Sequence, residues 1–170
     1  MRAEDPPTPA ASFITDVTLF DGQTVSQRRS ILIEGARIAW VGSHARAPRE
    51  ARTANEIDGH GRTLAPGLID AHVHLAWDGT SDMAAETADL TDARAAEKAT
   101  RNLRRHLDAG VTTVRDLGAP SAVICDVARR TGGRVRVVAA GRALTTPGGH
   151  GKGMFAAEVS GPEGLREAIR

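Results

Sequence analysis

Two histidines, His72 and His74, stand one residue apart in the run Leu68-Ile69-Asp70-Ala71-His72-Val73-His74-Leu75. In an extended strand the side chains alternate between faces, so positions 72 and 74 point the same way and both imidazoles can reach one ion. Neutral imidazole suits zinc, at about 2.0–2.1 Å per bond. A zinc ion so held can activate water for hydrolysis. The pair alone is a weak mark, because two unrelated histidines on a strand have the same spacing. Its weight depends on where that strand ends.

A second candidate is His150, flanked by Gly149 and Gly151. These glycines let the backbone approach a ligand closely, and the loop follows the third strand of a strand–helix series. A solvent-exposed loop histidine explains the same residues equally well. The loop is not a phosphate cradle: Gly151-Lys152 is followed by Gly153 where Ser or Thr is required, and Thr146 stands where the first glycine belongs. Asp116 ends the second strand and could orient a ligand, although a local ion pair with Arg115 is an equally ordinary role. His44 near a loop, His60 in the Asp58-Gly59-His60-Gly61 turn and His106 near a helix end read as surface residues. Cys125, the single cysteine, sits in the apolar stretch Ala122-Val123-Ile124-Cys125 and reads as a structural thiol on a buried helix face.

The elements that must position these side chains fall into two patterns. From Ser12 to about Asp58, short alternating runs broken by turn residues predict a small antiparallel β-unit. Within it Glu34-Gly35 makes a hairpin turn, with Ile31 and Ile33 on one face before it and Ile38 and Trp40 on one face after it. After Leu64 the rhythm becomes strand, helix, strand, helix, strand. LAPGLIDAHVHL reads as a buried strand, followed by a helical stretch from about Asp82 to Asp108. In that stretch Thr91 offers a cap, Ala96, Ala99, Leu103 and Leu107 share one face, and Gly110 is a stop. VTTVRDLG, a helix from Pro120 to Thr131, and the strand RVRVVAAG come next. Such alternation predicts a parallel sheet with helices outside it, and His72 and His74 then lie at the C-terminal end of its first strand, where barrel enzymes place catalytic groups. In SGPEGLREAIR, Ser160 and Glu163 have capping-box spacing, and the helix they open is cut after about two turns.

Composition sets outer bounds. The formal net charge is +1, and the basic residues, all Arg except Lys98 and Lys152, are interleaved with acids and not with aromatics. Nucleic acid is not an implied partner. No stretch approaches the roughly 20 apolar residues of a membrane span, and MRAEDPPTPAA lacks the apolar core of a secretory signal. Residues 1–11 are expected to be a disordered tail, and the expected location is the cytoplasm, without a membrane partner.

The segment Pro66-Gly67-Leu68-Ile69-Asp70-Ala71-His72-Val73-His74-Leu75, preceded by ILIEGARIAWVG, closely resembles the amidohydrolase superfamily, in particular its imidazolonepropionase-like and Xaa-Pro-dipeptidase-like branch. Gly110-Val111-Thr112-Thr113-Val114-Arg115-Asp116 and Thr145-Thr146-Pro147-Gly148-Gly149-His150-Gly151 support it. The resemblance implies an α/β fold: the N-terminal portion of a metal-dependent (β/α)8 barrel hydrolase, about three βα units over residues 64–170, preceded by part of a small β-sandwich over residues 12–63. It further implies one or two divalent ions, zinc above all, with His72 and His74 as ligands. The metal lowers the pKa of a bound water to about 7, the hydroxide attacks an amide carbonyl, and an Asp on a later strand takes the proton. His150 is implied as a substrate-contacting residue. The substrate expected is a small amide: a dipeptide, an N-acyl amino acid or a cyclic amide. A barrel needs about 200 residues, so this chain reads as an N-terminal fragment, inactive alone and lacking the catalytic Asp. A homo-oligomer is compatible with it. The rival reading is a non-catalytic truncated product serving only as a binding or assembly module.

Overall fold

The computed structural model describes residues 11–88, 90–130 and 134–169. Of the expected N-terminal tail only Ala11 is among the described residues. The chain forms two compact units, the first ending at Pro66 and the second beginning at Gly67.

In the first unit, strands β1 (Ser12–Phe20), β2 (Val25–Glu34), β3 (Arg37–Gly42), β4 (Asn55–Asp58) and β5 (Thr63–Leu64) form one sheet of order β3-β2-β1-β4, with β5 also beside β1. The hairpin at Glu34 and Gly35 is present, with Gly35 at φ 59°, a left-handed conformation that glycine adopts without strain. The sheet is mixed, not antiparallel as expected, because β4 and β5 pair parallel to β1. The connection from β3 to β4, carrying 3₁₀ turns at His44–Arg46 and Arg49–Thr53, is long enough to bring the chain back in the same direction. The burial expected of the hairpin also differs. Ile31 and its neighbour Leu32 are both buried, whereas Ile38 is 68% exposed. A register shift between Leu32 and Ile33 breaks the alternation. The turn at Arg49–Thr53 then lays Ala51 against Phe13 and Leu32, with Trp40 partly buried beside them.

The second unit holds β6 (Leu68–Val73), α1 (Met83–Ala88), α2 (Asp92–Asp108), β7 (Val111–Asp116), α3 (Val123–Arg130), β8 (Arg136–Ala139), β9 (Ala143–Thr145), β10 (Ala156–Glu158) and α4 (Gly161–Ala168). β6, β7 and β8 make the expected parallel sheet, in that order. Ala95, Ala99 and Leu103 of α2 and Ile124 and Val127 of α3 are buried in one core with Val73 of β6, Val114 of β7 and Val135 just before β8. Cys125 is only half-buried, since Ile124 and Val127 carry the inner face of α3.

Three expectations are corrected here. The stretch from Asp82 to Asp108 is two helices, because Thr91 is extended (φ −78°, ψ 161°) and its hydroxyl accepts from Arg94 N at 3.3 Å as the N-cap of α2. The first strand is not buried along its length: Leu68 and Ile69 are 61% and 71% exposed, because β6 is an edge strand paired only with β7 and its inner face closes at Val73. Ser160 makes no side-chain cap bond, and α4 starts instead with Pro162 in its first turn, whose fixed φ suits that position. The parallel pair β9–β10 was not legible among the surrounding glycines. Thr131, the expected end of α3, lies outside the described residues. Among the described residues no helix is long and apolar enough to cross a membrane.

Candidate metal centre

β6 ends at Val73, which pairs with Asp116 at the end of β7, and Leu117 N donates to Val73 O at 3.1 Å. His72 is the penultimate residue of the strand and His74 the first beyond it, so the two-residue period carries both imidazoles to the C-terminal end of the sheet. Their ring centroids are 5.5 Å apart at an interplanar angle of 67°. His72 is exposed and His74 half-buried. His74 Nδ1 lies 2.9 Å from the carbonyl oxygen of Gly118. A carbonyl can only accept, so Nδ1 carries the hydrogen and a neutral His74 keeps its lone pair on Nε2, the nitrogen free for a metal.

Aromatic rings fix the plane of that imidazole. Phe155 lies 4.8 Å from His74, and Trp77 meets it edge-on at 5.9 Å. Phe155 fits there because two neighbours lack a Cβ. An added Cβ at Gly151 would come 2.5 Å from Phe155 Cε2, and one at Gly118 would come 3.1 Å from Cδ2. The glycines near His150 therefore make room for an aromatic ring of the chain itself. His150 is exposed, with its ring 5.5 Å from Phe155 on the loop between β9 and β10.

Two buried polar side chains, underrated from sequence, hold the turn after His74. Asp116 is fully buried, and instead of pairing with Arg115 it accepts Leu75 N at 2.7 Å on Oδ2 and Gly118 N at 3.1 Å on Oδ1. Burial pushes its pKa above the ordinary carboxylate value, against the pull of those two bonds and of His74. Asn102 of α2 donates through Nδ2 to Leu75 O at 3.1 Å and Trp77 O at 2.8 Å. Both could have been read from pattern: Asp116 follows Val114 by two residues on the buried face of β7, and Asn102 sits beside Leu103 on the inner side of α2.

His44 and His60 are exposed, as expected. His106 is not free at the surface: its side chain is 25% exposed, its Nδ1 bonds to Asn102 O at 2.8 Å, and its Nε2 lies 3.9 Å from Asp70. Among the described residues no group of three or more His, Cys, Asp or Glu side chains could hold an ion. His72 and His74 make two sites of a coordination shell that needs about four.

The model of the amidohydrolase family matches residues 63–170. An imidazolonepropionase of Aromatoleum aromaticum is 52% identical over 46 residues, which are 27% of this chain and 11% of that protein. A prolidase crystallised with N-methylphosphonate-L-proline is 28% identical with a TM-score of 0.75, over 94% of this chain and 43% of its own. A putative prolidase from Bifidobacterium longum is 25% identical with a TM-score of 0.74, over 96% of this chain and 38% of its own. The chain thus spans less than half the length of each of these relatives.

Proposed function

This chain belongs to the amidohydrolase family, and from that premise we propose that it carries the first two metal ligands, His72 and His74, of a metal-dependent hydrolase of carbon–nitrogen bonds. The observation that supports this most is the fixing of His74 by Gly118 O, which leaves Nε2 as the donor atom beside a second imidazole at the same strand end. The donor set suits zinc, or another divalent ion of similar preference. What such an ion supplies is Lewis acidity and the acidification of a coordinated water.

The chain's own residues have three tasks. His72 and His74 offer two neutral nitrogens. Phe155 and Trp77 cover His74 and keep water from that side of the ring. Asp116 and Asn102 hold the backbone on either side of Leu75. Asp116 does not serve as the base that takes a proton, since both its oxygens are occupied by backbone N–H groups and it is fully buried. With two ligands and no base, the 170-residue chain alone is inactive.

The β6-β7-β8 sheet with α2 and α3 fits the first three units of a (β/α)8 barrel, and the sheet of the first unit fits part of a β-sandwich, with residues 12–63 and 64–170 as the two domains. The relatives named as imidazolonepropionase and prolidase point to a small cyclic amide or a dipeptide as the substrate class. His150, behind Phe155, is proposed on the substrate side. The proposed setting is the cytoplasm. Titration of zinc into the chain against a competing chelator tests the reading. Weak binding that disappears in His72→Ala supports it, and nanomolar affinity that survives that substitution places the ligands elsewhere.

A further inference from the structure

Resting on the reading of His74 as a ligand, we propose that Asp116 is a positioning residue that sets the tautomer of His74, acting through the backbone of Gly118. The geometry is a closed circuit. Asp116 Oδ1 accepts Gly118 N at 3.1 Å, and the carbonyl of the same glycine accepts His74 Nδ1 at 2.9 Å. Asp116 Oδ2 accepts Leu75 N at 2.7 Å, one residue beyond His74. One carboxylate thus pins both the chain that bears the imidazole and the chain that bears its acceptor. No other side chain among the described residues bonds to both segments.

The consequence is chemical as well as structural. An unconstrained neutral imidazole can place its hydrogen on either nitrogen. A hydrogen on Nε2 would block the atom proposed to meet the metal. Fixing Gly118 O against Nδ1 removes that option before any ion arrives. Asp116 has room for this task alone: it is fully buried between β7 and the turn after β6, its two oxygens are both engaged, and it makes no ion pair. Gly118 is in turn held from behind, since an added Cβ would lie 3.1 Å from Phe155 Cδ2 and 3.2 Å from Ala143 Cβ.

The test is the ¹⁵N chemical-shift pattern of the His74 ring in the metal-free 170-residue chain, at a pH where the ring is neutral. The unsubstituted chain should show the Nδ1–H form, and an Nε2–H ring there overturns the proposal whatever the variants do. Asp116→Asn keeps the shape but can offer an acceptor to only one of the two backbone N–H groups, so His74 should lose its single tautomer. A folded Asp116→Asn chain, judged by near-ultraviolet circular dichroism, that retains the Nδ1–H form refutes the role. Asn102→Ala is the comparison for a purely structural lesion. It loosens the same turn without touching the circuit and should leave the tautomer unchanged, and loss of the Nδ1–H form there would equally refute a specific role for Asp116. Zinc affinity should fall about 10–100-fold in Asp116→Asn, the usual effect of removing an outer-sphere partner. A fixed tautomer with no zinc binding would refute the metal reading while sustaining the circuit, so the two ideas fail separately.

Discussion

Replacing Asn102 is the sharpest perturbation of the scaffold behind the candidate site. Its Nδ2 donates to Leu75 O and Trp77 O at 3.1 and 2.8 Å, and the side chain is buried. Asn102→Ala removes both donors and leaves two carbonyls facing a small void. Each lost bond is worth about 1 kcal/mol net, and each unsatisfied buried acceptor costs about 1–3 kcal/mol. Because the second figure contains the first, the expected loss is about 2–4 kcal/mol. In urea unfolding followed by Trp fluorescence, with a slope of about 2 kcal/mol/M, the midpoint should fall by about 1–2 M with the slope unchanged. Asn102→Asp preserves shape but turns two donors into acceptors facing carbonyl oxygens, so its loss at neutral pH should exceed that of Ala. A buried carboxyl of that kind has a folded-state pKa above its unfolded one, so the penalty is felt above the ordinary carboxylate pKa and relieved as pH falls. A loss below about 0.5 kcal/mol in Asn102→Ala, or an Asp variant as stable as the original at pH 7, would refute this account of the turn.

Other outcomes follow from the same geometry. Asp78 is a second acid-sensitive point: burial works against its charge, yet the bonds from Arg101 at 2.5 Å and Lys98 at 3.4 Å outweigh it and hold its pKa below the ordinary value. Its stabilising contribution is therefore present above about pH 4 and lost as pH falls through the depressed value, so the gap in melting temperature between the native chain and Asp78→Asn should close in acid; a gap independent of pH would exclude the ion pairs as its source. β8, like β6, pairs on one side only among the described residues, so size-exclusion chromatography should show oligomers or aggregate, and a cooperatively melting monomer would show that these edges are covered. Dipeptides and N-acyl amino acids should not be turned over by the chain alone with zinc present, and metal-dependent hydrolysis abolished by His74→Ala would contradict the incompleteness of the site.

The sequence made the parallel β-α series legible because its apolar periods are clear: alternating valines in β7, and Ala95, Ala99 and Leu103 spaced along α2. It showed the His72 and His74 pair through strand period alone. What it concealed depends on long-range contacts. The parallel return of β4 onto β1 follows from a connection whose direction no local pattern encodes. Asp116 looked like half of an ion pair with its chain neighbour, because its real partners, Leu75 N and Gly118 N, are backbone groups brought in by folding. Phe155 was invisible as a neighbour of His74, being separated from it by most of the second unit and seated by the absence of side chains at Gly118 and Gly151.

The metal reading is tested most directly by X-ray absorption at the zinc edge of the zinc-loaded chain. Two imidazole nitrogens at about 2.0–2.1 Å, the remainder of the shell being oxygen, are expected, with one imidazole lost in His74→Ala. A shell without imidazole, or one containing sulfur at about 2.3 Å from Cys125, would contradict the assignment of His72 and His74 as the ligands.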